Sequence, residues 1–407
     1  MIFLEGLGLS GYKSFGGEVQ LMAPFKQLNL FIGKNNSGKS NILTFIHKHL
    51  SIIQSHGRSR GWKPEATDRH IGAVDGAFQL WLGITADKDS IKRRIPIGHA
   101  GNHDLHANAF HTLLTSNKHL GTEGVIWFPY QSKTMGGQLT IDSGPMANWR
   151  TIETNSAQHN AIKHLASHFI NLNAFNTSTQ DKLVEFISPL NGHLPRPYLI
   201  PAVRSISKGQ LDGNDFSGVG LIERLAQLQN PNHDERHKRE QFDMIVSFVR
   251  NVLENDSAQI EIPYQRDTIL VHMDGKVLPL TALGTGIHEV VILAAAATVI
   301  EKSIVCLEEP EIHMHPTLQK KFIQYLATTS NQYFITTHSA HLVDSAFASV
   351  FHVQLVDGAS KVQLVSTDKL RFSVCSDLGY RASDLVQANC IIWVEGPSDR
   401  IYLNHWI

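Results

Sequence analysis

At 407 residues the chain exceeds one typical domain and is long enough to bury a large core, so one to three domains are expected. Lysine and arginine number 36 against 37 acids, a formal charge of −1, which excludes an overall basic field for nucleic acid and an acidic, disordered composition; any DNA surface has to be local. Three scattered cysteines, Cys306, Cys375 and Cys390, exclude a disulfide framework or a cysteine-based zinc site, and the longest apolar run, residues 290–300, is too short to span a bilayer, so a soluble cytoplasmic protein is expected.

The first forty residues read as short strands, "IFLEGLGLSGY", "EVQLMA" and "QLNLFI". The last of these breaks into the Gly-rich "GKNNSGKS" of residues 33–40 before a helical pattern that puts Ile42, Ile46, Leu50 and Ile53 on one face. The octet fills every position of GxxxxGK[ST], with the strand before it and the helix after it that the motif requires. In that context backbone N–H groups and the positive end of the helix converge on one spot suited to phosphate oxygens. Gly33, Lys34, Asn35, Asn36, Ser37 and Gly38 are the expected cradle, continued by Asn41; Lys39 is expected to bridge β- and γ-phosphates and Ser40 to hold Mg²⁺.

Residues 55–195 are irregular. "HGRSRGWKPEATDRH" reads as loop, "GAFQLWLGIT" as strand and "NAIKHLASHFINL" as helix, so this stretch is expected to be partly sheet and partly insertion. The basic patches at residues 57–63, 91–94 and 236–239 are short or interspersed with acids and read as solvated surface rather than a phosphate track. His103, His106 and His111 show no ligand partner in the sequence, and no zinc site is expected from them. Residues 220–255 are helical apart from the turn "NPNHD", and "QIEIPYQRDTILVHMDGKVLPL" follows as a hairpin turning at Asp274 and Gly275.

"LTALGTGIHEVVILAAAA" is a Gly-rich turn that opens a buried helix, and two strand-to-helix units come next. In "SIVCLEEPEIHMHP" an apolar run ends in two acids. One carboxylate at a strand's C-terminal end can hold Mg²⁺, while an adjacent one, on the other side of the backbone, can serve as general base; Glu308 takes the first role and Glu309 the second. "QYFITTHSA" ends in Thr336, Thr337, His338 and Ser339, and His338 is placed to hydrogen-bond a γ-phosphate in the same crevice.

Together these pieces resemble the ABC-type ATPase heads of SMC-like repair proteins and, more closely, the OLD (overcoming lysogenization defect) family of ATP-dependent nucleases, over the first 55 residues and about 280–407. The resemblance implies an α/β fold, an ABC/SMC-like P-loop ATPase head with mixed sheet and helical insertion, over residues 1–385. The insertion or helical dimerisation region would lie at about 85–260. It implies ATP and Mg²⁺ as cofactors and a homodimer in which nucleotide lies between two heads. Leu283, Gly284, Thr285 and Gly286 occupy the signature's place, with Thr285 and Gly286 closing over the partner's nucleotide. Glu309 becomes the catalytic glutamate, Glu308 the metal-binding acid and His338 the switch histidine, while Lys13 and Ser14 in "GYKSFGG" match a short nucleotide-touching turn. Gln79 and Gln131 are alternative Q-loop glutamines, and Arg204 sits in a segment, "YLIPAVRSI", similar to one in related heads.

In the OLD family a Toprim nuclease domain follows, and "CIIWVEGPSDRIYL" is similar to its opening strand, with Glu395 as a metal-binding glutamate, Gly396 at the turn, and Asp399 and Arg400 as the usual continuation. A Toprim site also needs a later DxD for two-metal cleavage. Asp87 and Asp89 form a DxD in the wrong place, so residues 386–407 are expected to be the start of a truncated or disordered Toprim domain. The resemblance thus implies an ATP-gated DNA nuclease of anti-phage defence, with a divalent metal in its complete nuclease domain and DNA, RNA or a defence protein as partner. The alternative is a non-nuclease ATPase, a sensor or scaffold for a separate effector.

Overall fold

The computed structural model describes residues 2–50, 52–53, 65–71, 78–95, 103–115, 124–131, 140–141, 156–169, 182–183, 186–189, 194–202, 221–236, 238–343, 347–380, 394 and 396–406. The near-continuous apolar runs at residues 28–32, 304–307 and 332–335 become strands buried on both faces, as such runs do in parallel sheets. They are β3 (Leu28–Ile32), β11 (Ile304–Glu308) and β12 (Gln332–Thr337). With β7 (Tyr198–Ile200), β13 (Ala348–Val356) and β14 (Ala359–Leu364) they form a six-stranded sheet in the order β14-β13-β3-β12-β11-β7. Every pairing is parallel except the terminal β13–β14 hairpin. The fold is α/β with a mixed sheet.

Alternation along these strands splits the interior into two cores. Leu28, Leu30, Ile32, Val305, Leu307, Tyr333 and Ile335 face one core; Phe31, Ile304, Cys306, Phe334 and Phe351 face the other. On the first side lie α5 (Leu221–Gln229), α6 (Lys238–Leu253), α7 (Thr285–Val299) and α8 (Pro316–Thr328). Residues 290–297 of α7 are buried all round, which is why its sequence lacks a polar face. Beside these helices a small antiparallel sheet holds β8 (Gln259–Glu261), β9 (Leu270–Met273) and β10 (Lys276–Pro279). Asp274 and Gly275 turn that hairpin with φ of 51° and 72°, the positive angles a tight hairpin turn demands.

The second core lies between the large sheet and a five-stranded antiparallel sheet, ordered β2-β1-β4-β5-β6, with helix α1 (Lys39–Thr44) between them. Its strands are β1 (Gly6–Ser10), β2 (Gln20–Met22), β4 (Gln79–Thr85), β5 (Val125–Gln131) and β6 (Thr140–Ile141). The predicted face Ile42, Ile46, Leu50 and Ile53 is buried there, although the helix widens to π geometry over Phe45–Leu50. Three further helices pack against this core, α2 (Lys88–Arg93), α3 (His103–Thr115) and α4 (Ser156–Phe169).

Buried polar groups tie the layers together. Gln332 accepts from the backbone N–H groups of Phe3 and Leu4, both at 2.9 Å, and donates to the carbonyls of Leu4 and Lys26, so a buried amide finds all its partners. Glu5 accepts from Arg94 at 3.0 Å, from the Ser90 hydroxyl and from the Thr85 N–H, both at 2.5 Å. Burial raises its pKa, but Arg94 and these hydrogen bonds outweigh it and leave the carboxyl below its ordinary value.

The sequence reading lacks α3, β5, β6 and the β13–β14 hairpin. At the C-terminal end α9 (Asp368–Asp377) and α10 (Pro397–Trp406) form, the latter over the amphipathic run expected after the Toprim-like strand, with the Gly396 N–H donating to Asp399 at 3.1 Å. The apolar strand expected before it, and Glu395 itself, lie outside the described residues, as do Arg204 and the basic patch at 57–63. Of the patch at 91–94, Lys92 pairs with Asp104 and Arg94 with Glu5, as solvated or structural cations do. Among the described residues no helix is long and apolar enough to cross a membrane.

Candidate functional site

β3 delivers the chain to the edge of the large sheet, and the Gly-rich octet turns it into α1 there. The loop is folded against the neighbouring hairpin. A Cβ on Gly33 would lie 2.0 Å from the Val353 carbonyl oxygen; one on Gly38, at φ 104°, would lie 2.2 Å from Ser360 Oγ and 2.5 Å from Ser14 Oγ. Only glycine fits at either position. Lys39 is buried and donates from Nζ to the carbonyls of Gly33 at 2.9 Å and Lys34 at 2.8 Å. Burial pushes its pKa down to about 8, against the opposing pull of Glu309 and Glu311.

Glu308 and Glu309 end β11, but β11 is not the immediate neighbour of β3: β12 lies between them and carries His338 just beyond its end. Parallel strands end at the same edge whatever their order, so the loop, the acids and the histidine still converge. Glu309 has φ 42° and donates its backbone N–H to the Thr336 carbonyl at 3.0 Å, a left-handed backbone that a non-glycine residue adopts at a cost of about 1–3 kcal/mol. Its carboxylate meets His338 Nε2 at 3.1 Å, and Glu311 accepts from the His338 backbone N–H at 2.6 Å.

Several polar atoms at this edge are buried without hydrogen bonds: the hydroxyls of Ser37 and Thr336 and one carboxylate oxygen of Glu311. No side chain caps the start of α1. A glycine-forced loop, an uncapped helix start, an ammonium turned onto loop carbonyls and orphaned hydroxyls make a set of donors that fits polyphosphate. The exposed Ser40 and the half-buried Glu308 add oxygen donors suited to a hard divalent cation.

The outlying residues divide. Ser14 joins the loop: its hydroxyl accepts from Asn41 at 2.7 Å and lies 2.7 Å from the Ser360 hydroxyl, which donates to the Ser37 carbonyl at 2.7 Å. Lys13 is held by Asp68, whose carbonyl accepts its N–H at 2.9 Å and whose carboxylate lies 3.9 Å from its ammonium. Thr285 and Gly286 open α7, and a Cβ on Gly286 would fall 2.5 Å from the carbonyl oxygen of His313, beyond the acids in the same chain. Gln79 and Gln131 lie directly opposite each other on β4 and β5, in the antiparallel sheet rather than the one carrying the loop.

Sequence reasoning missed Ser360, and with it the chain Lys34–Asp377–His352. Lys34 lies 2.8 Å from Asp377, which lies 3.1 Å from the buried His352 of β13. Burial raises the Asp377 pKa, yet Lys34 and His352 together hold it below the ordinary value. The signal for this hairpin was present: Asp357 and Gly358 turn it with φ of 50° and 78°, the same Asp-Gly pattern that marks the β9–β10 turn.

The eight residues of the loop fill the P-loop pattern, and the fold sets them at the same sheet edge as the acids and the histidine. The AAA ATPase domain family matches residues 147–343, a span that includes α7, the acids and His338 and leaves out the Gly-rich loop, which its own eight residues identify. A comparison with curated proteins finds no match. Among solved structures the chain is similar to an SMC head domain from Thermotoga maritima, at 14% identity over 89% of this chain and 99% of that one with a TM-score of 0.45. It is also similar to an Smc head domain with an extended coiled coil, bound to the C-terminal domain of ScpA, from Pyrococcus furiosus, at 14% identity over 92% and 99% with a TM-score of 0.38.

Proposed function

We propose that this chain is the ATP-binding and hydrolysing head of an OLD-type nuclease, residues 1–385, whose ATP cycle gates a C-terminal Toprim domain that begins near residue 386 and cuts DNA, in defence against phage. The observation that carries the hydrolytic part is the Glu309–His338 pair, 3.1 Å apart, at the edge where buried Lys39 begins its helix. The residues at 33–41, with Lys13 and Ser14, bind the nucleotide. Mg²⁺, held by Ser40 and Glu308, supplies charge neutralisation at the phosphates when bound. Glu309 takes the proton of the attacking water, and His338 holds the Glu309 carboxylate in position. Thr285 and Gly286 reach the nucleotide of a second copy, so the active form is a two-fold homodimer.

The test is Glu309→Gln in the full natural protein. ATP hydrolysis is expected to fall by about 10²–10⁴-fold while ATP binding persists and a dimer accumulates in sizing or light-scattering experiments. An unchanged rate would remove Glu309 as general base. For the nuclease part, Glu395→Ala in the same protein is expected to abolish metal-dependent DNA cleavage and leave ATP turnover intact. Turnover without any cleavage by the wild type would favour the sensor or scaffold reading.

A further inference from the structure

The sequence offers no ligand partner for His103, His106 or His111, but packing gives His106 two histidine neighbours. His106 of α3 meets His164 and His168 of α4, and one ring nitrogen of each lies within 4.8 Å of the other two. The ring centroids are 5.1 Å apart for His106 and His164, 5.0 Å for His106 and His168, and 4.5 Å for His164 and His168. His164 and His168 are four residues apart on one helix and so share its face. His106, which the sequence left alone, is buried beneath them at 1% exposure.

We propose that His106, His164 and His168 form a zinc site that staples α3 to α4, a site separate from the nucleotide-binding edge. His168 is already arranged as a ligand. Its Nδ1–H faces the His164 carbonyl at 2.9 Å and the Ser167 hydroxyl at 3.1 Å. That tautomer leaves Nε2 with its lone pair for a metal, the outer bond that ligating histidines commonly make. His164 Nε2 is buried without a hydrogen bond, a costly state that coordination relieves. Three imidazoles on one side, with no carboxylate or thiolate among them, suit a borderline cation such as Zn²⁺ rather than Mg²⁺ or Ca²⁺. Tetrahedral zinc with bonds of about 2.0–2.1 Å brings its nitrogens to about 3.3 Å from one another, so binding draws α3 and α4 together. His168 is exposed, and water completes the fourth position on that side.

Around the histidines the helix pair also packs through aromatic rings. Phe110 of α3 and Phe169 of α4 have ring centroids 5.7 Å apart, and Phe186 stacks on Phe110 at 6.1 Å. Phe110 is fully buried in the second core.

The test uses untagged full-length protein. Zinc is measured by elemental analysis after purification without chelator and by competition with a chromophoric chelator, and Co²⁺ is added to the stripped protein. One equivalent of zinc per chain and the visible bands of tetrahedral Co²⁺ are expected. The exposed position gives the clean variant: His168→Ala should weaken zinc by about 100-fold or more, since lost outer-shell partners alone cost 10–100-fold, with ATP turnover retained as evidence that it folds. His168→Cys should restore affinity and shift the Co²⁺ spectrum by adding a thiolate, a response that a purely packing role for His168 would not give. Wild-type protein that takes up no zinc, or a His168→Ala protein that binds it as tightly as wild type, would overturn the proposal.

Discussion

The nucleotide edge and the histidine helices lie in one chain but are built on opposite principles. At the edge each functional group is delivered by a short contiguous motif at the end of a parallel strand, and the sheet supplies convergence without further specification. The histidine cluster has no such scaffold: it exists only because two helices, separated in sequence by the whole of β5 and β6, pack side by side. The first kind of site is robust to sequence distance and intolerant of bulk in its loop; the second depends on how well a peripheral layer is held.

Substitution at Gly38 probes the first kind most severely. Gly38→Ala places a Cβ within 2.5 Å of two hydroxyls at a backbone φ of 104°. Strain and overpacking together cost about 2 kcal/mol or more, about 30-fold or more in ATP affinity if the loop must reopen to bind. Fluorescent-nucleotide titration measures the loss, and zinc content should not change. Equal loss of both ligands would mean that the two regions are one cooperative unit.

The peripheral layer is probed at Glu5. Glu5→Gln leaves Arg94 of the α2 end, 12% exposed at its side chain, without its anion. Removing one member of a buried ion pair costs about 3–5 kcal/mol, and the partial exposure of Arg94 reduces the expectation to about 2–3 kcal/mol, read as a lower midpoint in urea. Glu5 has a depressed pKa, so its contribution is present above the ordinary carboxylate range and is lost as pH falls through the lowered value. The variant should therefore be less acid-sensitive as well as less stable at neutral pH.

A smaller effect is expected where a motif meets an element the sequence did not reveal. Ser360 of β14 bridges the Ser14 hydroxyl and the Ser37 carbonyl. Ser360→Ala removes two hydrogen bonds of about 1 kcal/mol each at most, and should raise KM for ATP several-fold with little change in kcat if the hairpin only shapes the loop. A fall in kcat with KM unchanged would assign Ser360 a part in the chemical step.

The legible part of the molecule follows the same division. Eight contiguous residues announced the loop, and Glu308, Glu309 and His338 were readable because apolar runs ended on them. That β12 intervenes between β3 and β11 was not readable, because parallel order is fixed by crossovers rather than by any strand's own sequence. The β13–β14 hairpin, with Ser360 and His352, is marked in the sequence only by its Asp357-Gly358 turn, and α3 offers only a mixed pattern. In "HLASH" the i, i+4 histidines of α4 could be seen, but their third partner is a tertiary fact.

Lys39 offers the most delicate contrast between the regions, because its charge is set by burial rather than by a partner. In the folded protein its pKa of about 8 lies below the ordinary lysine value of 10.5, so near pH 8 about half of the molecules carry it neutral. Polyphosphate at the loop favours the charged form and raises that pKa. ATP binding at pH 8 should then take up about half a proton at this group, falling toward zero as pH drops to 6.5, and ATP affinity should weaken as pH rises above 8. Calorimetry in buffers of differing ionisation enthalpy measures the uptake directly. Zinc binding at the histidines runs the other way, since an imidazole must lose its proton to ligate and affinity grows as pH rises through the histidine range. Opposite pH trends for the two ligands on one protein would separate a site that needs its buried cation from one that needs its imidazoles neutral. Parallel trends would remove Lys39 as the group that binds phosphate.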